Sequence, residues 1–67
     1  KIKIKVNGKF KRVTENYKIS DLVKDLKIPL KKVAFELNQE IIDKKKIGKI
    51  ILKKDDKIEI VHFIGGG

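Results

Sequence analysis

The opening stretch, Lys1-Ile2-Lys3-Ile4-Lys5-Val6-Asn7-Gly8, constrains the fold more than any other part of the chain. Apolar side chains at 2, 4 and 6 alternate with lysines at 3 and 5, so a strand through them buries one face and solvates the other. Asn7-Gly8 follows at once, and both residue types tolerate the positive φ that a two-residue hairpin turn requires. The chain is therefore expected to fold straight back as a second strand over Lys9–Val13. Phe10 and Val13 fall out of phase there, which predicts a bulge or an early end near Arg12. A half-buried hairpin of this kind needs a second layer on its apolar face.

The next segment supplies that layer. Residues 14–18 are polar and read as a loop. Ser20 is placed to cap a helix through its hydroxyl, with Asp21 complementing the positive end of the dipole. Ile19 packs just outside the helix start, and Leu22, Val23 and Leu26 share one helical face. The helix must stop near Lys27, because Pro29 disfavours helical geometry at Ile28. A third strand, Val33-Ala34-Phe35-Glu36-Leu37, turns at Asn38-Gln39 into a short fourth, Glu40-Ile41-Ile42. Residues 43–46 are a charged loop. Residues 47–52 are apolar but interrupted by Gly48 and Lys49, which leaves a short helical turn and an irregular edge segment equally open. Asp55-Asp56 makes the last turn, and residues 57–64 form a final strand whose nearly continuous apolar character suits a central position.

The order hairpin, helix, hairpin, final strand predicts an α+β fold of the ubiquitin-like β-grasp type. Its mixed sheet has about five strands, the last parallel to the first, with one main helix packed on one face. The expected organisation is a single domain over residues 1–64 followed by a flexible glycine tail, residues 65–67.

Size and composition narrow the function. A chain of 67 residues commits nearly all its apolar side chains to one modest core, which leaves little room for an enclosed active site. There is no cysteine, so disulfides, thiolate nucleophiles and cysteine-ligated zinc are excluded, and His62 is the single histidine. No carboxylates show the spacing of a calcium loop, and no metal site is expected. No apolar run is long enough to span a bilayer and no export signal opens the chain, so the expectation is a cytoplasmic protein with no membrane contact.

The formal charge of +9 raises the question of a nucleic-acid partner. Arg12 is the single arginine among 18 basic residues, whereas base and bidentate phosphate recognition favour arginine. The aromatic side chains are Phe10, Tyr17, Phe35 and Phe63, and nothing in their spacing marks an exposed platform for base stacking. Nucleic acid is accordingly not the expected partner, and most of the lysines read as a solvated face.

The chain closes on Gly65-Gly66-Gly67, placed directly after a strand that reads as central. Glycines make a narrow segment that can enter a channel where any β-carbon would collide. The carboxylate of Gly67 is a poor electrophile, so acyl chemistry there needs activation, and the absence of cysteine means that any sulfur must come from a partner.

The stretches Val33-Ala34-Phe35-Glu36-Leu37, Asn38-Gln39-Glu40-Ile41-Ile42, Asp55-Asp56-Lys57-Ile58-Glu59-Ile60 and Val61-His62-Phe63-Ile64-Gly65-Gly66-Gly67 resemble the ThiS family of thiamine-biosynthesis sulfur carriers. The likeness covers nearly the whole chain, and the last stretch is its specific part. A diglycine end alone would equally fit ubiquitin-like modifiers or the molybdopterin synthase small subunit.

The resemblance implies that Gly67 is adenylated by a ubiquitin-activating-type adenylyltransferase and converted to a thiocarboxylate with sulfur drawn from a cysteine desulfurase. Thiazole synthase then takes that sulfur. The chain would be a cosubstrate, with no catalytic residue of its own and no bound cofactor, ATP being used by the adenylyltransferase. Gly65 and Gly66 would thread the partner's channel. Phe63 and Ile64 are candidates for docking, because the final strand has more apolar residues than one buried face requires; for Phe63, packing within the sheet is the alternative. Delivery of sulfur to molybdopterin synthesis or to tRNA thiolation, and an RNA-binding module on the same scaffold, are the competing readings. The Asn38-Gln39 and Asp55-Asp56 turns depart from the family in lacking glycine.

Overall fold

The computed structural model describes residues 1–63. Strand β1 (Ile2–Val6) and β2 (Lys9–Val13) form the opening hairpin, α1 (Ile19–Leu26) follows, and β3 (Val33–Leu37) with β4 (Glu40–Ile42) forms the second hairpin. The last strand, β5 (Lys57–His62), lies at the centre of a five-stranded sheet of order β2-β1-β5-β3-β4. It runs parallel to β1 and antiparallel to β3. This is the β-grasp arrangement expected from the sequence.

Neither the bulge nor the early end expected near Arg12 occurs, and β2 pairs through to Val13. Ile2 pairs with Val13, Ile4 with Lys11 and Val6 with Lys9 in unbroken register, which leaves Lys5 opposite Phe10 and Lys3 opposite Arg12 on the other face. Phe10 falls out of phase because it points away from the core and is exposed, not because the backbone shifts. Lys11 lies opposite Ile4 on the core side of an edge strand and is half-buried, as a long aliphatic stem allows.

Helix α1 begins two residues earlier than the Ser20 cap predicts. Lys18 is the N-cap residue, with extended backbone, and the Asp21 carboxylate accepts from its N–H at 2.9 Å. Ser20 is the second residue of the helix and so cannot be its cap; its own N–H takes a partner outside the helix. Ile19 and Ser20 donate to the carbonyls of Ile50 and Ile47 at 3.2 and 3.1 Å, and Leu52 donates to the Tyr17 carbonyl at 2.7 Å. The segment left open in the sequence is thus what closes the helix N-terminus. It follows a 3-10 turn, Lys44–Lys46, capped by the Asp43 carboxylate within the expected charged loop, and runs irregularly to an isolated bridge between Ile51 and Lys18. Ile47 and Leu52 enter the core beside Ile4, Ile19, Leu22, Val33, Phe35 and Ile58. Leu26, assigned from periodicity to the buried face, is exposed in the last helical turn. The helix ends through Lys27 in the left-handed region, with Ile28 donating to the Val23 carbonyl at 3.0 Å.

Tyr17, read from sequence as part of a polar loop, is buried in the core, and its hydroxyl donates to the Asp25 carboxylate. Burial, then that hydrogen bond and the negative charge of Asp25, hold the phenol far above its ordinary range. A folded-state value above the unfolded one of about 10 stabilises the fold fully below that pH and loses the contribution as pH rises toward the folded value. Tyrosinate absorbance from the chain's single tyrosine should therefore appear only together with alkaline unfolding. Tyr17→Phe should cost about 1 kcal/mol at neutral pH and flatten the alkaline limb. Ordinary tyrosinate titration with the circular dichroism of the fold intact would contradict the contact.

The glycine-free turn at Asn38-Gln39 has both residues in the left-handed region, φ 51° and 73°. Asn38 earns its place through its side chain. Its amide donates to Asp56 Oδ1 at 3.0 Å and its carbonyl oxygen accepts from the Lys57 N–H at 2.9 Å, tying the second hairpin to the start of β5. Among the described residues Gln39 makes no comparable side-chain hydrogen bond, so Gln39→Gly should relieve its backbone and stabilise the chain by about 1 kcal/mol, read from the denaturant midpoint. The last turn centres on Lys54 and Asp55, not on Asp55-Asp56; Asp56 closes it, its carboxylate accepting from the Lys53 N–H at 2.8 Å.

Candidate functional site

The site is the end of β5 and its surroundings. Ile58 and Ile60 are buried beneath the sheet, which fixes Glu59 and Val61 on the opposite face. On one side β5 is paired with β3 along its length, from Leu37 opposite Ile58 to Val33 opposite His62. On the other side, pairing with β1 stops at Val6 opposite Ile58, because the chain turns away at Asn7. The Asn7 side chain continues the ladder alone. Its oxygen accepts from the Ile60 N–H at 2.6 Å and its amide donates to the Ile60 carbonyl at 3.3 Å. The sequence marked Asn7 only as a turn former.

Beyond Ile60, β5 therefore has a strand on the β3 side alone. Phe63 donates to the Lys32 carbonyl at 2.8 Å, in the 3-10 turn Leu30–Lys32 that leads into β3. Lys44 Nζ donates to the Leu30 carbonyl at 3.0 Å and stands 5.3 Å from the centroid of the Phe63 ring. That distance suits a cation–π contact. The backbone leading to the glycines is thus held by a turn and a lysine that sequence reasoning did not single out.

Of the residues assigned to the site from sequence, Phe63 is at the surface, 43% exposed, which answers the question of whether it packs inside the sheet. Val61 and Ile41 add exposed apolar side chains on the outer face, Ile41 at 82%. His62 is exposed. Ile64, Gly65, Gly66 and Gly67 lie outside the described residues. Among the described residues, no three His, Cys, Asp or Glu side chains gather in a metal-binding group. No helix among them is long and apolar enough to cross a membrane. Three surface concavities among these residues have at most one carboxylate and no histidine in their lining, so none assembles an acid–base pair.

The sequence matches the model of the ThiS family over residues 4–67. This chain belongs to the ThiS family. It is 40% identical over 65 residues to the sulfur carrier protein ThiS of Bacillus subtilis, an alignment covering 96% of this chain and 98% of that one. A crystal structure of the thiamine biosynthesis protein ThiS from Geobacter metallireducens superimposes with a TM-score of 0.85 at 30% identity, covering 98% of this chain and all of that one. The chain is also 36% identical over 66 residues to a thiazole synthase of Magnetococcus marinus. It spans 20% of the length of that synthase and of a second one from Paramagnetospirillum magneticum. The ThiS match runs through the glycines, which are thus part of the family pattern.

Proposed function

We propose that this chain is a sulfur carrier of thiamine biosynthesis whose reacting group is the Gly67 carboxylate. The observation that carries the reading is the family match extending to Gly67, together with near-complete mutual coverage with the Bacillus subtilis carrier. In the proposed sequence, a ubiquitin-activating-type adenylyltransferase lets a carboxylate oxygen attack the α-phosphorus of ATP, releasing pyrophosphate and leaving an acyl adenylate. The outer sulfur of a persulfide charged by a cysteine desulfurase then attacks the carbonyl carbon and AMP leaves; a partner cysteine thiol cleaves the resulting acyl disulfide, which leaves the thiocarboxylate on this chain and a disulfide on the partner. Thiazole synthase is the proposed acceptor, supported by the similarity to part of two thiazole synthases. Gly65 and Gly66 would let the backbone reach a partner's reaction centre, and Phe63 and Ile64 would contribute apolar contacts at its mouth. The chain itself would bind no cofactor and perform no catalysis.

The test is incubation with a cognate adenylyltransferase, ATP and a sulfur donor, followed by intact-mass spectrometry. The expected result is the mass change of one oxygen-to-sulfur exchange, located at Gly67 by fragmentation. Active partners that leave the mass unchanged would overturn the reading.

A further inference from the structure

On the outer face of the sheet, at the far end of β5 from the glycines, four cations and an aromatic ring form a compact array. Lys3 lies directly opposite Arg12, Lys5 lies opposite Phe10, and Lys5 also lies opposite Lys57 in the parallel pairing. Phe10 is 66% exposed, with Lys3 Nζ 4.5 Å and Lys5 Nζ 5.1 Å from its ring centroid. Lys3, Lys5, Phe10 and Lys57, with Ile4 and Asp55, line a shallow concavity of about 250 Å³. Asp55 is its one carboxylate.

A solvated face alone does not account for this pattern. Like charges directly opposite across strands destabilise a sheet, and here two such pairs, Lys3 with Arg12 and Lys5 with Lys57, share one face. The array opposes the fold locally, and local conflicts of this kind concentrate where a surface serves something other than folding. An anionic surface placed over it would relieve the repulsion, and the exposed ring offers an apolar anchor in the middle of the charge. A single ring and a single arginine make a poor reader of bases, which favours protein over nucleic acid.

We propose that Lys3, Lys5, Phe10, Arg12 and Lys57 form a second docking surface, separate from the glycines, for an acidic surface segment with an apolar socket on an enzyme that handles the tail. This rests on the sulfur-carrier reading. Lys57 and Phe63 are six residues apart along extended backbone, so the two contact points stand about 20 Å apart. A partner holding both would orient the carrier by charge at one end while reacting at the other.

The test compares the wild type with Lys5→Glu/Lys57→Glu and with Phe10→Ala in adenylation by the cognate enzyme. Both variants should raise KM for the carrier about tenfold with kcat unchanged. The wild-type KM should rise with salt and that of the charge-reversed variant should not. The Tm of the charge-reversed variant should stay level, because the like-charge pair at positions 5 and 57 becomes another like-charge pair of opposite sign. An unchanged KM, or a KM loss that tracks a falling Tm, overturns the proposal.

Titration of the full chain with an oligoglutamate peptide, followed by amide NMR shifts, tests the surface independently of turnover. Shifts concentrated on these five residues support it, and shifts spread over the other lysines overturn it. An oligouridylate binding the same residues more tightly at physiological salt replaces the protein partner with RNA. Failure of the wild type to be adenylated counts against the sulfur-carrier reading alone, and the peptide titration still decides the surface.

Discussion

Removing Gly67, or adding one residue after it, should reduce thiocarboxylate formation at least about 100-fold while leaving Tm unchanged. The chemical step requires a carboxylate carbon in line with the α-phosphorus of ATP and then with an incoming sulfur. Misplacing a reacting atom by as little as 1 Å can cost about 100-fold, and one residue of extended chain is about 3.3 Å. The fold should not register the change. Every buried residue among those described lies at or before Ile60, and the last described backbone hydrogen bond toward the tail is that of Phe63 to Lys32. Gly66→Ala should act in the same direction through steric exclusion from the partner, again with Tm unchanged. Tail variants that retain full sulfur transfer would remove Gly67 from the mechanism; tail variants that lower Tm would show that the glycines have a structural task as well.

The largest effect on stability should come from Asn7→Ala, about 2–3 kcal/mol in chemical denaturation. Two separable causes contribute. Asn7 sits at φ 50°, where a residue with an ordinary β-carbon costs about 1 kcal/mol. Its side chain also pairs with both backbone groups of buried Ile60, and leaving that N–H without its partner costs about 1–3 kcal/mol. A domain of this size has only about 3–10 kcal/mol in all, so the variant should melt many degrees lower. Asn7→Gly separates the causes, because it keeps the backbone conformation and loses only the side-chain pairing. It should fall between wild type and Asn7→Ala. Equal losses in the two variants would show that the backbone conformation at Asn7 contributes nothing.

Asn7 also shows where sequence reading stops. Its turn chemistry is local and visible in the Asn-Gly dipeptide, but its hydrogen bonds reach 53 positions along the chain to Ile60. The same holds for Asn38, which looked like a family departure at a turn and proves to hold the start of β5. Ser20 was credited with a cap because side-chain propensity favours it. The cap falls at Lys18 because the loop carbonyls of Ile50 and Ile47 accept from the N–H groups of Ile19 and Ser20, which brings Ser20 into the first helical turn. The irregular Phe10 pattern reads as a bulge or an early strand end, since periodicity cannot distinguish either from an outward-facing aromatic in unbroken register.

For the site, the exposure of Phe63 is legible in the sequence as one of two alternatives. The clamp of Lys44 on Phe63 and the Leu30 carbonyl is not, because residue types that far apart carry no mutual signal until the chain brings them together.

By itself, the sequence determined the strands, the helix, the two-residue hairpins and the resemblance that pointed to the ThiS family, because period, turn chemistry and short motifs are local properties. Tertiary structure decided which apolar side chains stay outside, which loop carbonyls close α1, and that Lys3, Lys5, Phe10, Arg12 and Lys57 meet on one face. Those outcomes depend on register across β1, β2 and β5, and register is a property of strand pairs, set only when the sheet closes.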